Sequence, residues 1–342
     1  MEWNVSNNTQ LASSVLLTLA SAIIVIAGIK SAADMLVPFL LSVFIAVMSA
    51  PLLHWLGRRG VPGILAVLIL VVGFLVLGSA LAMFLGGTIN AFYQDMPTYE
   101  TKLQSLFSQT IDWVQGFGID VPKNVLKEYI NPGVAMNAVA TVFNGLGGVL
   151  TNAFLILFTV IFILMEASGM PDKLKRAFGE HTTALSNFER FSALVQRYLA
   201  IKTLMSMGTG VSIGLVLWII GVDYAPMWAL VAFLLNYIPN IGSIIAAVPA
   251  VLVALIQLGP AEALATIITY MVVNTLFGNV IEPRMMGRTL GLSTLVVFLS
   301  LVFWGWVLGP VGMLLSIPLT MVVKIALETR PQSRWMATLM DH

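Results

Sequence analysis

The sequence predicts an all-α polytopic membrane protein, and three observations carry that prediction. Of the 342 residues, 58% are hydrophobic and only 10% charged, with a mean hydropathy of +0.94, which leaves too little polar surface to cover a soluble core. Uncharged apolar runs recur at roughly 20 residues, the length a helix needs to cross about 30 Å of hydrocarbon. In the C-terminal half, two apolar runs are each interrupted by proline and glycine, at 239–242 and 309–312, as in the broken helices of secondary transporters. The expected architecture is about eight or nine helical passes, counting two broken hairpins, plus an extracytoplasmic amphipathic arm.

Residues 1–89 hold three passes, at 11–29, 35–53 and 61–86. No Lys or Arg precedes Lys30, so the first run lacks the positive flank of a cleaved leader and is expected to stay as a helix. Pro38 falls in the first turn of the second run and Pro51 near its end, where each is tolerated. Gly57, Gly60 and Pro62 mark the turn that follows. In the third run Gly78, Ala82 and Gly86 recur every four residues, a small-residue ridge suited to close helix packing.

Residues 90–143 turn polar and are expected to leave the membrane as the arm. Within them Phe92, Met96, Tyr99, Leu103, Leu106, Trp113 and Phe117 keep a spacing of about 3.5, so an amphipathic helix must bury one face. The cover is a partner subunit, the bilayer surface or the chain's own body. Residues 144–166 return through the membrane. Residues 167–193 then read as a basic interfacial helix, with Lys173, Lys175, Arg176 and Arg190 alternating with Leu174, Phe178, Leu185 and Phe188.

Residues 194–328 are the expected transport core, followed by a tail at 329–342. The core opens with a pass at 194–221, carrying Arg197 and Lys202 in its first turns and a second small-residue ridge at Ser206, Gly210 and Gly214. The first hairpin, 226–258, breaks at Pro239, Asn240 and Gly242. One full pass at 263–281 separates it from the second, 294–327, which breaks at Gly309, Pro310 and Gly312. Hairpins so separated enter from opposite faces, as an inverted repeat requires. With the N-terminus in the cytoplasm, thirteen of the 17 Lys and Arg lie inside, and only Lys30, Lys102, Lys123 and Lys127 lie outside. That distribution obeys the positive-inside tendency and places both termini in the cytoplasm.

The net charge of +1 offers no basic surface for nucleic acid, and zero cysteines exclude disulfides and thiolate chemistry. There is no His-Glu-x-x-His, Gly-x-Ser-x-Gly or phosphate-loop motif, and His54, His181 and His342 are too scattered to hold a metal. No catalytic residue, metal or cofactor is expected, and no enzymatic activity. Transport would draw on a solute or ion gradient.

The densest polar run among the apolar segments is 271–293. Asn274, Gly278 and Glu282 share one helical face at i, i+4 and i+8. Pro283 ends the helix, and Arg284 and Arg288 follow beside Gly287 and Gly291. Two readings stand: Glu282 with Arg284 or Arg288 gates a substrate path, or the arginines rest among headgroups with Glu282 as counter-ion. Asn236, Tyr237, Asn240 and Ser243 at the first break, with Asn274, Thr275 and Asn279 on the pass between the hairpins, form an uncharged polar set. Such groups bind a neutral polyol by matching donors and acceptors, or else tie the interrupted backbone together.

Three segments carry a family resemblance: Asn-Tyr-Ile-Pro-Asn-Ile-Gly-Ser at 236–243, Gly-Asn-Val-Ile-Glu-Pro-Arg-Met-Met-Gly-Arg at 278–288, and Gly-Pro-Val-Gly-Met-Leu-Leu-Ser-Ile-Pro at 309–318. They resemble signatures of the autoinducer-2 exporter (AI-2E) family, and the resemblance covers essentially the whole chain. It implies a homo-oligomeric protein of the bacterial inner membrane that exports autoinducer-2, a small furanone-derived polyol. Many members carry His-Pro where this chain has Ser293 and Thr294. Some relatives are described as sodium or lithium/proton antiporters, an activity for which Glu282 is the best carboxylate here, with Glu166 and Asp223 nearer the surface. A third reading is a membrane scaffold that binds a partner through the arm.

Overall fold

The computed structural model describes residues 16–17, 20–21, 23–117, 152–167, 173, 176, 183–239, 241–286, 291–329 and 333–341. Every regular element among them is helical. Five of these helices are long and apolar enough to cross a membrane, as the composition requires. The chain divides into two compact units, one of Met1–Ile45 with Leu292–His342 and one of Ala46–Gly291. The two broken hairpins belong to different units.

Helix α1 (Ala33–Arg58) runs from the smaller unit into the larger. It is followed by α2 (Gly63–Gln115), whose 53 residues extend about 80 Å at 1.5 Å per residue. The sequence separated a third pass from an arm beginning at Asn90, but the helix is continuous. Gly86 and Gly87 lower helix propensity without requiring a turn. About 20 residues suffice to cross the hydrocarbon, so the charged remainder of α2 projects beyond it.

The apolar stripe on that projection is covered by its own chain over the described stretch. Phe92, Tyr99 and Leu103 are 5% exposed or less, and they join Val222, Trp228 and Val231 in one core cluster. Phe117 remains exposed, and residues 118–143 lie outside the described part. Two crossed polar ties fix the contact. The Tyr99 hydroxyl donates to Asp223 Oδ2 at 2.7 Å, and the Tyr224 hydroxyl donates to Asp95. Tyr224 holds a left-handed φ of 59°, which costs a side-chain-bearing residue about 1–2 kcal/mol. The tie to Asp95 and an edge contact with Phe92, at 6.0 Å between ring centroids, hold it there. Burial first, and then the bond to Asp95, push the Tyr224 hydroxyl above the ordinary tyrosine range, so it remains a donor. Replacing Tyr99 with phenylalanine is expected to lower stability by about 1.5–3 kcal/mol, the value of a hydrogen bond to a charged group. Thermal unfolding of the purified protein checks this, and an unchanged transition would show that the tie contributes nothing.

The larger unit continues with α3 (Ala153–Ala167), α4 (Thr183–Ile220), α5 (Ala225–Leu235), α6 (Ile241–Gln257) and α7 (Pro260–Asn274). A π-helical turn (Thr275–Ile281) and the short α8 (Glu282–Met286) complete it. The expected interfacial segment at 167–193 falls mostly outside the described residues, although Lys173 pairs with Glu166. From Thr183 the backbone is already the start of α4, eleven residues before the expected pass.

On α4 the small-residue ridge packs as its composition predicts. A Cβ at Gly210 would lie 2.7 Å from Ala229 O, and one at Gly214 would lie 2.6 Å from Ala229 Cβ, so α5 approaches at backbone distance. The ridge on α2 differs. No described atom lies within 4 Å of a Cβ built at Gly78 or Gly86, so the expected close approach is not made there by any described residue.

In the smaller unit, residues 23–31 are helical, and Lys30 Nζ stands 3.9 Å from the Trp306 ring centroid. Helix α9 (Thr294–Glu328) is interrupted at Gly309, with φ 69° and ψ −154°. Thr320 Oγ1 donates to Ser300 Oγ at 2.7 Å, and Trp304 Nε1 donates to Thr320 Oγ1 at 3.0 Å. Residues 300 and 320 would be about 30 Å apart on a straight helix, so α9 is a hairpin of two antiparallel arms. Ser293 caps its start, its Oγ accepting from Val296 N–H at 3.3 Å. The Ser293 N–H donates to Met340 O at 2.9 Å, and Lys324 pairs with Asp341. Both ends of the hairpin are thereby tied to the segment that contains α10 (Arg334–Leu339).

Candidate functional site

The site is built on the irregular end of α7. From Thr275 the backbone widens into a π turn, and the Glu282 N–H reaches Phe277 O, five residues back. The wider turn accommodates one more residue than an α turn, which brings Asn279 to the same wall as Asn274, Gly278 and Glu282. The Phe277 ring wedges this turn against α4. A Cβ at Gly208 would lie 2.4 Å from Phe277 Cε1, so only glycine admits the ring in that position.

The opposite wall is the first hairpin. Ile238 N–H bonds Leu235 O at 2.9 Å and Gly242 N–H bonds Ile238 O at 3.3 Å, closing a tight reversal between α5 and α6. The tip is tied to α4 by Asn236 Nδ2 donating to Ser206 Oγ at 3.0 Å and by the Tyr237 hydroxyl donating to Thr203 Oγ1 at 2.7 Å.

Between these walls lies a cavity of about 610 Å³. Its polar lining is Lys202, Asn236, Ser243, Tyr270, Asn274, Thr275, Asn279 and Glu282. Ala247, Val248, Val251, Leu252 and Ile267 supply an apolar side. Among the described residues, the side chains of Ser243, Asn274 and Asn279 have no hydrogen-bond partner within the protein, which leaves their donors and acceptors available to a solute. Such a small set of polar groups on an apolar wall is the usual composition of a small-molecule site.

One ion pair closes part of this lining. Lys202 Nζ donates to Glu282 Oε1 at 2.8 Å and to Oε2 at 3.0 Å, with side chains only 6% and 15% exposed. Each charge answers the cost of burying the other.

Glu282 therefore pairs with Lys202 and not with Arg284, one of the two partners expected for it. Arg284 follows Glu282 by two residues, about 200° around a helix, and is exposed; Arg288 lies outside the described residues. From sequence, Lys202 falls in the first turns of a pass beginning at residue 194. With α4 beginning at Thr183 it lies mid-helix instead. A usable signal was present: Lys202, Ser206 and Thr209 share a helical face, at i, i+4 and i+7.

Of the sequence-selected residues, Asn236, Ser243, Asn274, Asn279 and Glu282 line the cavity together, as does Pro239 at the first break. Tyr237 is engaged with α4, and Asn240 lies outside the described residues. Gly242 forms the reversal itself, whereas Gly309, Pro310 and Gly312 form the turn of the hairpin in the smaller unit.

A helical membrane protein with broken hairpins and a polar cavity beside one of them has the layout of a membrane transporter. The chain belongs to the AI-2E transporter family, whose profile matches residues 19–332. It is 40% identical over 327 residues to the AI-2 transport protein TqsA of Escherichia coli K12, covering 96% of this chain and 95% of that one. It is 42% identical over 335 residues to a protein of Haemophilus influenzae Rd, covering 95% of each. YrrI of Bacillus subtilis 168 is 27% identical over 315 residues, covering 84% of each chain.

Proposed function

We propose that this chain exports autoinducer-2 from the cytoplasm, as a secondary transporter or facilitator of the bacterial inner membrane. Both termini lie in the cytoplasm, and the working form is a homo-oligomer. The observation that carries the reading is the cavity, where Ser243, Asn274 and Asn279 offer unengaged amide and hydroxyl groups beside an apolar wall. A small neutral polyol satisfies both surfaces. The relative named for AI-2 transport supports the choice of solute. Glu282 serves as the gate, with Lys202 as the partner it separates from, and the break at Pro239 is the moving part on the hairpin side.

Efflux of labelled autoinducer-2 from proteoliposomes tests this, with and without Na⁺ and pH gradients. Wild-type protein is expected to release the label, and Asn274→Ala with Asn279→Ala to slow release by about tenfold or more, in line with the loss of two polar contacts. No release by the wild type, or undiminished release by the double variant, would reject the site.

A second reading, a sodium or lithium/proton antiporter, is favoured by one observation: Glu282 is a carboxylate held among membrane-spanning helices with a lysine counter-ion. Proton movement on adding Na⁺, abolished by Glu282→Gln while autoinducer-2 efflux is absent, would establish it instead.

A further inference from the structure

The cavity is graded in polarity along its length, and the grading follows from the course of its two walls. Helix α6 leaves the hairpin tip, and after Leu258 and Gly259 the packed helix α7 returns towards it. Residues late in α6 therefore stand beside residues early in α7. The polar groups of Ser243, Asn274, Asn279 and Glu282 gather at the tip end, while Val251, Leu252 and Ile267 line the other end. At 1.5 Å per residue, Ser243 and Leu252 lie about 14 Å apart along α6.

We infer that this cavity also takes a single-chain amphiphile from the bilayer, with an uncharged, hydrogen-bonding head at the tip end and a medium-length aliphatic chain between α6 and α7. The inference rests on the cavity and stands whether or not autoinducer-2 is its cargo. At about 610 Å³, the cavity lies midway in the range of roughly 300–1,000 Å³ that encloses drug-sized ligands. A small polyol hydrogen-bonded at the tip does not reach the apolar end, where water finds no polar partners. An aliphatic chain suits that end.

The same side is open. Val248 and Met271, midway along the cavity, are 50% and 65% exposed, and the stretch Pro260–Met286 is apolar enough to cross the membrane. A chain therefore enters from hydrocarbon without first crossing water. It gains little by doing so, because lipid is as apolar as the cavity wall, and the head decides occupancy. Lys202 and Glu282 neutralise one another, so the described lining carries no net charge. An ionic head would bring a charge without a counter-charge into a poorly solvated end. A hydroxyl or amide head needs only donors and acceptors, which Asn274 and Asn279 supply.

The test is photolabelling of the full-length protein in lipid vesicles with monooctanoylglycerol that carries a diazirine at the end of its chain, followed by mass-spectrometric mapping. Val251, Leu252 and Ile267 are expected to be labelled about tenfold more than Val72 and Val76, exposed positions of α2, a ratio worth one or two hydrogen bonds of the head. Unlabelled monooctanoylglycerol should displace the cavity label, and ionised octanoate, with the same chain, should not. Ala247→Trp and the milder Val251→Phe, which fill the cavity, should each remove most of the cavity label and leave that on α2 unchanged.

Even labelling of α2 and the cavity overturns the inference, as does cavity labelling that survives both fillings or that octanoate displaces equally well. Autoinducer-2 efflux is measured on the same vesicles. Efflux without cavity labelling rejects the amphiphile and leaves the export reading standing. Cavity labelling without efflux supports the amphiphile and rejects autoinducer-2 as the cargo.

Discussion

Placing a methyl group at position 242 destroys the first hairpin. The Cβ of Gly242→Ala would lie 1.8 Å from Leu235 O, 2.8 Å from Leu235 C and 3.0 Å from Ile238 Cβ. Two of the three are backbone atoms of the preceding helix, which cannot rotate aside as a side-chain tip could. Relief requires α5 and α6 to separate. That separation pulls Asn236 from Ser206 and Tyr237 from Thr203, the two bonds fixing the tip to α4. The expected loss is on the order of 3–5 kcal/mol, adding overpacking to two hydrogen bonds, with transport abolished. Gly312→Ala should do the same to the second hairpin, where the Cβ would lie 2.0 Å from Trp304 O. Gly78→Ala, with open space around it, is the control and should leave the melting transition within about 0.5 kcal/mol of wild type. A Gly242→Ala protein that melts like wild type would refute the tight reversal.

Removing one member of the buried ion pair is the second large effect. Lys202→Met leaves the Glu282 carboxylate, 15% exposed, with no counter-ion, and breaking such a pair from one side costs about 3–5 kcal/mol. Glu282→Gln strands the ammonium in the same way. Both changes together should recover most of the loss, because neither charge is then left alone. A double-mutant cycle on denaturation free energies reads the coupling directly. Arg284→Ala, at an exposed position, should change stability by less than about 0.5 kcal/mol. A larger loss from Arg284 than from Lys202 would restore the pairing that sequence order alone suggests.

Both breaks and most of the polar lining of the cavity were legible in the sequence for one reason. Proline, glycine and amides stand out against apolar helices, where each needs a local explanation. Asn236, Ser243, Asn274, Asn279 and Glu282 were identifiable on that ground.

Lys202 was not, because its meaning depends on where α4 begins, and eleven residues of helix precede the start that hydropathy suggested. The unbroken course of α2 escaped notice because charged residues end an apolar run without ending a helix. Asn279 was identifiable as an amide, but the π turn that carries it leaves no mark in a 3.6-residue periodicity. The crossed ties of Tyr99 with Asp223 and Tyr224 with Asp95 span 124 and 129 residues, and no local pattern announces contacts at that separation.

The length of α2 makes it a lever. Its membrane portion and the stretch that carries Asp95 and Tyr99 belong to one helix, and a tilt of about 5° over the roughly 55 Å from Gly63 to Tyr99 displaces that stretch by about 5 Å. That stretch is bonded to Asp223 and Tyr224, the residues immediately before α5. Spanning helices tilt to match the thickness of the bilayer around them. A thinner or thicker membrane is therefore expected to pull on the entrance of the first hairpin.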